Sequence, residues 1–147
     1  MANEMPPSSD FTGLTRTVIA YSEAFTAIAD KARAGTLGDA DWAEMERLVD
    51  VDNFVREGVF LGPVAEVIDW PTYRHYVTQY GGHTAWEGTL RHVTEQGNRV
   101  ILELEERNTR GGMTHVSNTV TVYEFNAEGK LRHLDVYVSP IGERPAQ

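Results

Sequence analysis

The sequence predicts an α+β fold in which three helices pack on the concave face of a curved, mostly antiparallel sheet. Apolar residues recur at every second position along four segments between residues 85 and 139, which is the period of half-buried strands. The connections between these segments are too short for crossover helices, so consecutive strands pair antiparallel. Because the helical segments precede this run of strands instead of alternating with it, the pattern favours the α+β class over α/β.

Two helices are predicted in the first 50 residues. Between Leu14 and Ala32 the apolar residues are spaced alternately by four and three positions, which places them in one stripe along a helix. Gly35 ends this helix, because glycine readily adopts the left-handed conformation at a helix C-terminus. Asp39 is a suitable N-cap for a second, short helix that runs through Trp42, Met45, Leu48 and Val49.

The next part of the chain predicts a strand pair, a third helix and then the four strands. The apolar segment 54–68 is interrupted by Gly58, which indicates a bent strand or an irregular hairpin. Asp69 caps the third helix, and Pro71 lies in its first turn, where the missing N–H group costs nothing. The four strands are predicted at Trp86–Val93, Val100–Glu106, His115–Phe125 and Leu131–Val138.

Length and composition fit a single folded domain. Of the 147 residues, 41% are apolar and 10% aromatic, and no linker-like segment divides the chain. We expect the domain to span residues 11–140, with a flexible N-terminal arm at 1–10 and a C-terminal tail at 141–147. No apolar stretch approaches the length of a membrane-spanning helix, so the expectation is a soluble, cytoplasmic protein.

The charge and the residue types present narrow the classes of function. A net charge of -9 disfavours nucleic acid or an anionic membrane surface as a partner. Without cysteine the chain forms no disulfide, no thiolate metal site and no cysteine nucleophile. Its five histidines show no metal-binding spacing, and no nucleotide-binding or serine-hydrolase motif is present. The sequence therefore predicts no metal and no cofactor.

Three helices laid on a curved sheet enclose a cone-shaped cavity, and its predicted lining is mainly aromatic. Such a cavity with a few polar groups is the usual form of a small-ligand site. The alternative is that these rings only fill the hydrophobic core. The aromatic residues on inward-facing stripes, and so the candidate substrate-binding residues, are Tyr21, Phe25, Trp42, Phe60, Trp70, Tyr73, Trp86 and Tyr123.

Two local segments resemble a known superfamily. The segment Phe125–Leu131, followed by Asp135-Val136-Tyr137, looks like the hairpin and last strand of SnoaL-like proteins. The segment 52–59 is similar to the first-strand segment of ketosteroid isomerases. Together with the predicted order of helices and strands, these two segments resemble the nuclear-transport-factor-2-like superfamily. The fold of that superfamily is a cone-shaped, cystatin-like roll. The resemblance implies a cofactor-independent isomerase, cyclase or dehydratase that acts on a small, largely apolar metabolite.

The same resemblance implies roles for three residues. Glu57 falls on the position of the isomerases' general base, and Tyr21 on that of the tyrosine that donates to the substrate oxyanion. Thr121 lies near the position of their protonated aspartic acid and is a further candidate substrate-binding residue. Alternation leaves open whether Glu57 or its neighbour Arg56 points into the cavity. A glutamate inside an apolar cone would have its pKa raised toward neutrality, which suits proton transfer.

The last strand carries a polar row and an apolar row on opposite faces. The polar row is His133, Asp135 and Tyr137, and the apolar row is Leu134, Val136 and Val138. The apolar row is the better candidate to face the cavity, which places the polar row on the convex face. An acid/base pair of His133 and Asp135 is the alternative. Val116, Val120 and Val122 join the convex face, and an apolar patch ringed by charge predicts a homodimer.

Two hypotheses for the function follow. In the first, the protein is an enzyme in which Glu57 moves a proton and Tyr21 holds a developing oxyanion. In the second, it is a non-catalytic, dimeric binding protein that uses the same cone only to hold a small ligand. Titration of Glu57 separates them, since a merely structural glutamate titrates near about 4.3.

Overall fold

The computed structural model describes residues 5–146 as helices on one face of a six-stranded sheet, which confirms the predicted α+β class. The α-helices are α1 (Gly13–Ala34), α2 (Ala43–Glu46) and α3 (Trp70–Tyr80). Shorter 3-10 turns lie at Ser8–Asp10, Asp39–Trp42 and Gly81–His83. No helix in this described part of the chain is long and apolar enough to cross a membrane.

The sheet joins the strand pair to the meander. Its strands are β1 (Val55–Val59), β2 (Ala65–Ile68), β3 (Ala85–Gln96), β4 (Arg99–Arg110), β5 (Met113–Phe125) and β6 (Leu131–Pro145). They lie side by side in the order β2-β1-β6-β5-β4-β3. The pairing of β1 with β6 is parallel, and all the other neighbours are antiparallel. The predicted antiparallel meander is therefore β3 to β6.

Irregularities in the ladders bend the long strands. Arg91 is an extra residue in β3, between Leu90 and His92, and Ile141 is an extra residue in β6, opposite Val116 and Ser117 of β5. Such bulges bend the strand that carries them and increase its twist. The bends therefore fall in β3 and β6, the two outer strands of the meander.

One hydrophobic core lies between the helices and the sheet. Helix α1 contributes Val18 and Ile19 from its apolar stripe, and α3 contributes Trp70 and Val77. Strands β4 to β6 supply Val100, Leu102, Leu104, Phe125, Leu131 and Leu134. These residues are at most 5% exposed, so burial of their apolar surface is the main stabilising term of the fold.

The second helix differs from its prediction at both ends. The 3-10 turn Asp39–Trp42 leads into α2, and the N-cap of this turn is Gly38, whose N–H donates to the Asp41 carboxylate at 2.9 Å. The helix ends at Glu46, because the backbone that follows is held by the end of the sheet. The carbonyl of Leu48 accepts a hydrogen bond of 2.9 Å from the Leu131 N–H, which a continuing helix would not permit.

The ends of the domain also differ from the prediction. Strand β6 continues to Pro145, which pairs with Met113, so most of the predicted tail at 141–147 belongs to the sheet. Within the predicted arm, Met5 packs against the hydrophobic core. Residues 1–4 and 147 lie outside the described residues.

Gly58 is the closest contact between β1 and β6. Its φ is +120°, and a Cβ there would lie 2.4 Å from the carbonyl oxygen of Val136. We expect Gly58→Ala to lower the free energy of unfolding by at least about 2 kcal/mol, through backbone strain and overpacking. Urea titration measures the change. Gly97→Ala is the matched control, because Gly97 also has a positive φ but nothing lies within 4 Å of the added Cβ. This control should lower the free energy of unfolding by about 1 kcal/mol.

Trp70 is 4% exposed and packs edge-on against the rings of Trp42 and Phe54 at centroid distances of 5.9 and 5.0 Å. We expect Trp70→Ala to lower the free energy of unfolding by about 3–5 kcal/mol, as truncations of buried aromatic residues do. The control is Val67→Ala, since Val67 is 70% exposed and should change stability by less than about 0.5 kcal/mol. A loss below about 1 kcal/mol for Trp70→Ala would contradict the assigned core.

Candidate active site

A cavity of about 570 Å³ lies between α1, α3 and the concave face of the sheet. Its size is within the range of small-molecule sites. The predicted residues that line it are Tyr21, Phe25, Phe60, Tyr73, Trp86, Thr121 and Tyr123. The apolar row of β6, formed by Leu134, Val136 and Val138, lines it as well. The cavity is therefore mostly aromatic and aliphatic, with polar groups at a few positions.

Arg56 is one of these polar groups, and strand register explains its position. It pairs with Leu134 of β6 on one side and with Ile68 of β2 on the other, and both neighbours are buried. The Arg56 residue itself is only 8% exposed. Its Nη2 donates to the carbonyl of Val59 at 3.0 Å, and its Cζ lies 4.3 Å from the ring centroid of Phe60. The guanidinium therefore lies against the aromatic wall of the cavity.

Glu106 is the second charged group in the cavity. It continues the inward-facing row of β4 after Leu102 and Leu104, both of which are buried. Burial raises the pKa of the Glu106 carboxyl, and the neighbouring Trp86 indole and Arg56 guanidinium oppose that rise only in part. At neutral pH this carboxyl therefore holds a proton more readily than a glutamate in water does.

A glycine helps to bring the indole of Trp86 to Glu106. Gly88 pairs with Glu106 across the β3–β4 ladder. A Cβ at Gly88 would lie 2.6 Å from Cζ2 of Trp86, so the missing side chain leaves room for the indole to lie along its own strand. The Trp86 indole consequently lies near Glu106 in the lining of the cavity and lowers the pKa of its carboxyl.

Three tyrosines complete the polar part of the cavity. The Tyr21 hydroxyl donates to the Tyr73 hydroxyl at 2.8 Å, which leaves the Tyr73 proton free to point at a ligand. Burial raises the pKa of Tyr73 to about 12 and raises the pKa values of Tyr21 and Tyr123 as well. All three phenols therefore remain protonated near neutral pH and can serve as hydrogen-bond donors. We call Tyr21, Arg56, Tyr73, Glu106 and Tyr123 the polar cluster.

Solved structures of similar shape identify the fold. An NTF2-like protein of unknown function from Burkholderia pseudomallei K96243 matches with a TM-score of 0.65 and 14% identity, over 88% of this chain and 92% of that one. A Δ5-3-ketosteroid isomerase from Mycobacterium sp. matches with a TM-score of 0.58 and 16% identity, over 85% of this chain and 98% of that one. An LEH-like epoxide hydrolase from M. tuberculosis matches with a TM-score of 0.53 and 17% identity, over 80% of this chain and 85% of that one. No family model and no curated protein matches the sequence.

This chain has the NTF2-like fold. Proteins of that fold include an isomerase and an epoxide hydrolase, together with several proteins of unknown function. At these low identities the likeness shows the fold alone. The chemistry has to be argued from the residues that the NTF2-like cone places around its cavity.

The structure corrects the expected position of Glu57. Its side chain is 45% exposed and does not line the cavity; its carboxylate lies 3.4 Å from Nε2 of His133 on the convex face of the sheet. The reason is the register of β1, in which Glu57 pairs with the outward-facing Asp135 while Arg56 pairs with the inward-facing Leu134. Of the two neighbours that alternation could not separate, Arg56 is therefore the one inside the NTF2-like cone.

Two of the predicted binding residues, Trp42 and Trp70, belong to the core and do not line the cavity. Trp42 is 1% exposed and packs between Trp70 and the guanidinium of Arg74. The Trp70 indole donates to the carboxylate of Glu46 at 3.0 Å, which turns it away from the cavity. Trp70 supports the cavity indirectly, because its ring stacks on Tyr73 at 5.2 Å.

Glu106 is the functional candidate that the reasoning from sequence missed. Leu102 and Leu104 form the inward-facing apolar row of β4, and the same alternation places Glu106 inside. The resemblance to isomerases places the general base at Glu57 and indicates no such residue on β4. A polar residue that continues an inward-facing apolar row was the available signal.

The polar row of β6 lies on the convex face, outside the cavity. Nε2 of His133 lies 3.0 Å from Asp135 and 3.4 Å from Glu57, so the histidine bridges two carboxylates. One ligand atom from each of the three residues lies within 4.8 Å of the others, a spacing that could hold a metal ion. The histidine and both carboxylates are partly buried there and already contact one another, which accounts for the cluster as an ion-paired group.

Proposed function

We propose that this protein is a cofactor-independent acid/base enzyme of the isomerase, cyclase or dehydratase type, acting on a small, largely apolar metabolite. The observation that carries the proposal is Glu106, a partly buried carboxyl with a raised pKa that lines an aromatic cavity. Such a group both accepts and returns a proton near neutral pH. It replaces Glu57 in the role that the sequence suggested for that residue.

The other members of the polar cluster support a division of roles. Glu106 accepts a proton from the bound substrate and later returns it. The Tyr73 hydroxyl donates a hydrogen bond to the substrate oxygen on which negative charge develops. Tyr21 supports this donor, because its own proton is committed to Tyr73 at 2.8 Å and strengthens the donor ability of that phenol.

The wall of the cavity supplies binding and excludes water. Phe25, Phe60, Trp86 and Tyr123 provide apolar surface for a flat or compact ligand, and Thr121 adds a hydroxyl beside Tyr123. In such a low-dielectric space, hydrogen bonds to a developing charge are stronger than in water. These are the proposed substrate contacts, together with Tyr73.

Glu106→Gln tests the assignment of the base. The amide keeps the shape of the side chain and loses the proton acceptor, so we expect kcat to fall by about 100-fold or more. Turnover is measured on a panel of small apolar ketones, alcohols and phenols, beside a melting curve. In the parent enzyme, kcat/KM should rise with pH as Glu106 ionises, with a midpoint above the ordinary value of about 4.3, and this limb should disappear in the variant.

Two glutamates outside the cavity serve as controls. Glu57→Gln and Glu103→Gln remove carboxylates that are 45% and 46% exposed, so turnover should stay within about twofold of the parent. If Glu57→Gln abolishes turnover and Glu106→Gln does not, the original assignment of Glu57 is right. If no variant changes turnover of any substrate that binds, the non-catalytic binding protein is the better description.

We also propose that the protein is a homodimer built on the convex face. Tyr137 of β6 is 61% exposed and pairs with Val120 of β5, which is 36% exposed, so this face presents apolar surface to water. Val116 and Val122 extend the patch along β5. A second copy of the chain would cover it, as self-complementary patches do in symmetric dimers.

Light scattering at micromolar concentration should give about twice the chain mass of 16.4 kDa. Tyr137→Glu adds a charge to the centre of the patch and should give the monomer mass with an unchanged melting curve at low protein concentration. Tyr80→Glu is the control, because Tyr80 is similarly exposed, at 51%, but lies on α3. A parent protein that is monomeric would contradict the proposed dimer.

A further inference from the structure

The guanidinium of Arg56 is a buried cation without an acidic partner. Arg56 is 8% exposed, and among residues 5–146 no carboxylate oxygen lies within 4.0 Å of its nitrogens. Its one hydrogen bond, from Nη2 to the carbonyl of Val59, uses one of five N–H donors. The remaining donors border the cavity, which Arg56 lines. A buried charge of this kind is normally paired, so these donors are suited to an anionic ligand.

The neighbours of Arg56 in the cavity do not supply that anion. Glu106 interacts with it electrostatically but forms no ion pair, and burial shifts that carboxyl toward its neutral form. Tyr21, Tyr73 and Tyr123 face Arg56 from α1, α3 and β5, and burial keeps all three phenols protonated. The net charge of the polar cluster near neutral pH is therefore more positive than its residue types suggest.

The mouth of the cavity adds a second unpaired cation. Arg110 lines the cavity and forms no ion pair within residues 5–146, whereas Arg33 is paired with Asp30 at 2.9 Å. His115 also lines the mouth, beside Glu143 at 3.0 Å. The chain as a whole carries a net charge of -9, so a cavity with two unpaired arginines runs against the general charge of the molecule. Such a local field attracts anions into the cone.

We propose that the substrate is an aromatic or alicyclic carboxylic acid whose carboxylate binds Arg56, an inference that rests on the proposed function of the cone. The planar guanidinium offers parallel N–H donors that match the two oxygens of a carboxylate. Its contact with Phe60, at 4.3 Å, and its hydrogen bond to Val59 hold the donors in place before the ligand arrives.

The remaining cavity fits the ring system of such an acid. Phe25, Trp86 and Val136 line it with apolar surface, and a volume of about 570 Å³ accommodates one or two fused rings. With the carboxylate on Arg56, the ring system lies within reach of Glu106 and the Tyr73 hydroxyl, since all three belong to one cavity. Arg56 thereby selects the substrate and leaves proton transfer to Glu106.

Binding of two probes of nearly equal shape tests the proposal. Naphthalene-2-carboxylate carries the anion, and naphthalene-2-carboxamide is its neutral match. Both are titrated at pH 7 into the full chain, and binding is followed by calorimetry. We expect the Kd of the carboxylate to be at least tenfold lower, because a charge-assisted pair is stronger than a neutral hydrogen bond. Equal Kd values for the two probes would overturn the proposal. So would the absence of carboxylate binding at about 1 mM.

Variants assign the preference to Arg56. Arg56→Met keeps length and apolar volume, and should bring the ratio of the two Kd values to about one without loss of melting temperature, since removal of an unpaired buried charge does not destabilise. Arg56→Lys should restore part of the ratio, as a point charge without the planar fork. Arg110→Gln, at the mouth, should change the ratio by less than about threefold. A ratio that survives Arg56→Met, in a folded variant, would overturn the assignment.

The outcomes separate this inference from the proposed function. If neutral ketones are turned over in a manner that depends on Glu106, but carboxylates bind no better than carboxamides, the substrate class is wrong and the acid/base chemistry stands. If carboxylates bind through Arg56 but no acid in a panel of aromatic and alicyclic carboxylic acids is converted, the anion site stands and the enzymatic function is wrong.

Discussion

The chemistry of the cone depends on the parallel pairing of β1 with β6. In that register Arg56 lies beside Leu134 and Glu57 lies beside Asp135, so two adjacent charged residues face opposite sides of the sheet. A slip of one residue would exchange them and place a carboxylate where the guanidinium now lies. Gly58 opposes such a slip, because only a residue without a side chain tolerates the Val136 carbonyl at this distance.

Burial acts on each member of the polar cluster in one direction, toward its neutral form. It raises the pKa values of Glu106 and Tyr73 and lowers the pKa of Arg56, because each charged state loses hydration. The charge at neutral pH nevertheless differs between Arg56 and Glu106, because the ordinary pKa values of arginine and glutamate differ. Arginine begins so far above neutrality that it stays charged, whereas a glutamate moved upward approaches the pH at which it can gain and lose a proton. One apolar environment thus produces a fixed cation and, in Glu106, a carboxyl with a raised pKa.

The fold could be predicted from the sequence because its elements follow two clear periods, 2 in the meander and alternating 3 and 4 in α1. The lining of the cavity was predictable in part, since aromatic residues such as Phe25 and Trp86 lie on these stripes. The face of the sheet on which Glu57 lies could not be predicted, because β1 has only five residues and contains Gly58, so the starting point of its alternation is undefined. The position of Trp42 in the core, away from the cavity, could not be predicted either. Periodicity shows which face of a helix is buried, but not whether a residue on that face lines a cavity.

The unpaired state of Arg56 is not a general property of the buried arginines in this chain. Arg107 is 9% exposed, almost as buried as Arg56, but it lies 3.0 Å from Glu105 and 3.6 Å from Glu87. The chain therefore neutralises a buried cation where the surroundings are only structural. Selection for stability alone would do the same at Arg56, or replace it by an apolar residue of similar size, since burying an unpaired charge is costly. A cation kept unpaired at the wall of a ligand-sized cavity is explained by a partner that arrives from outside the chain.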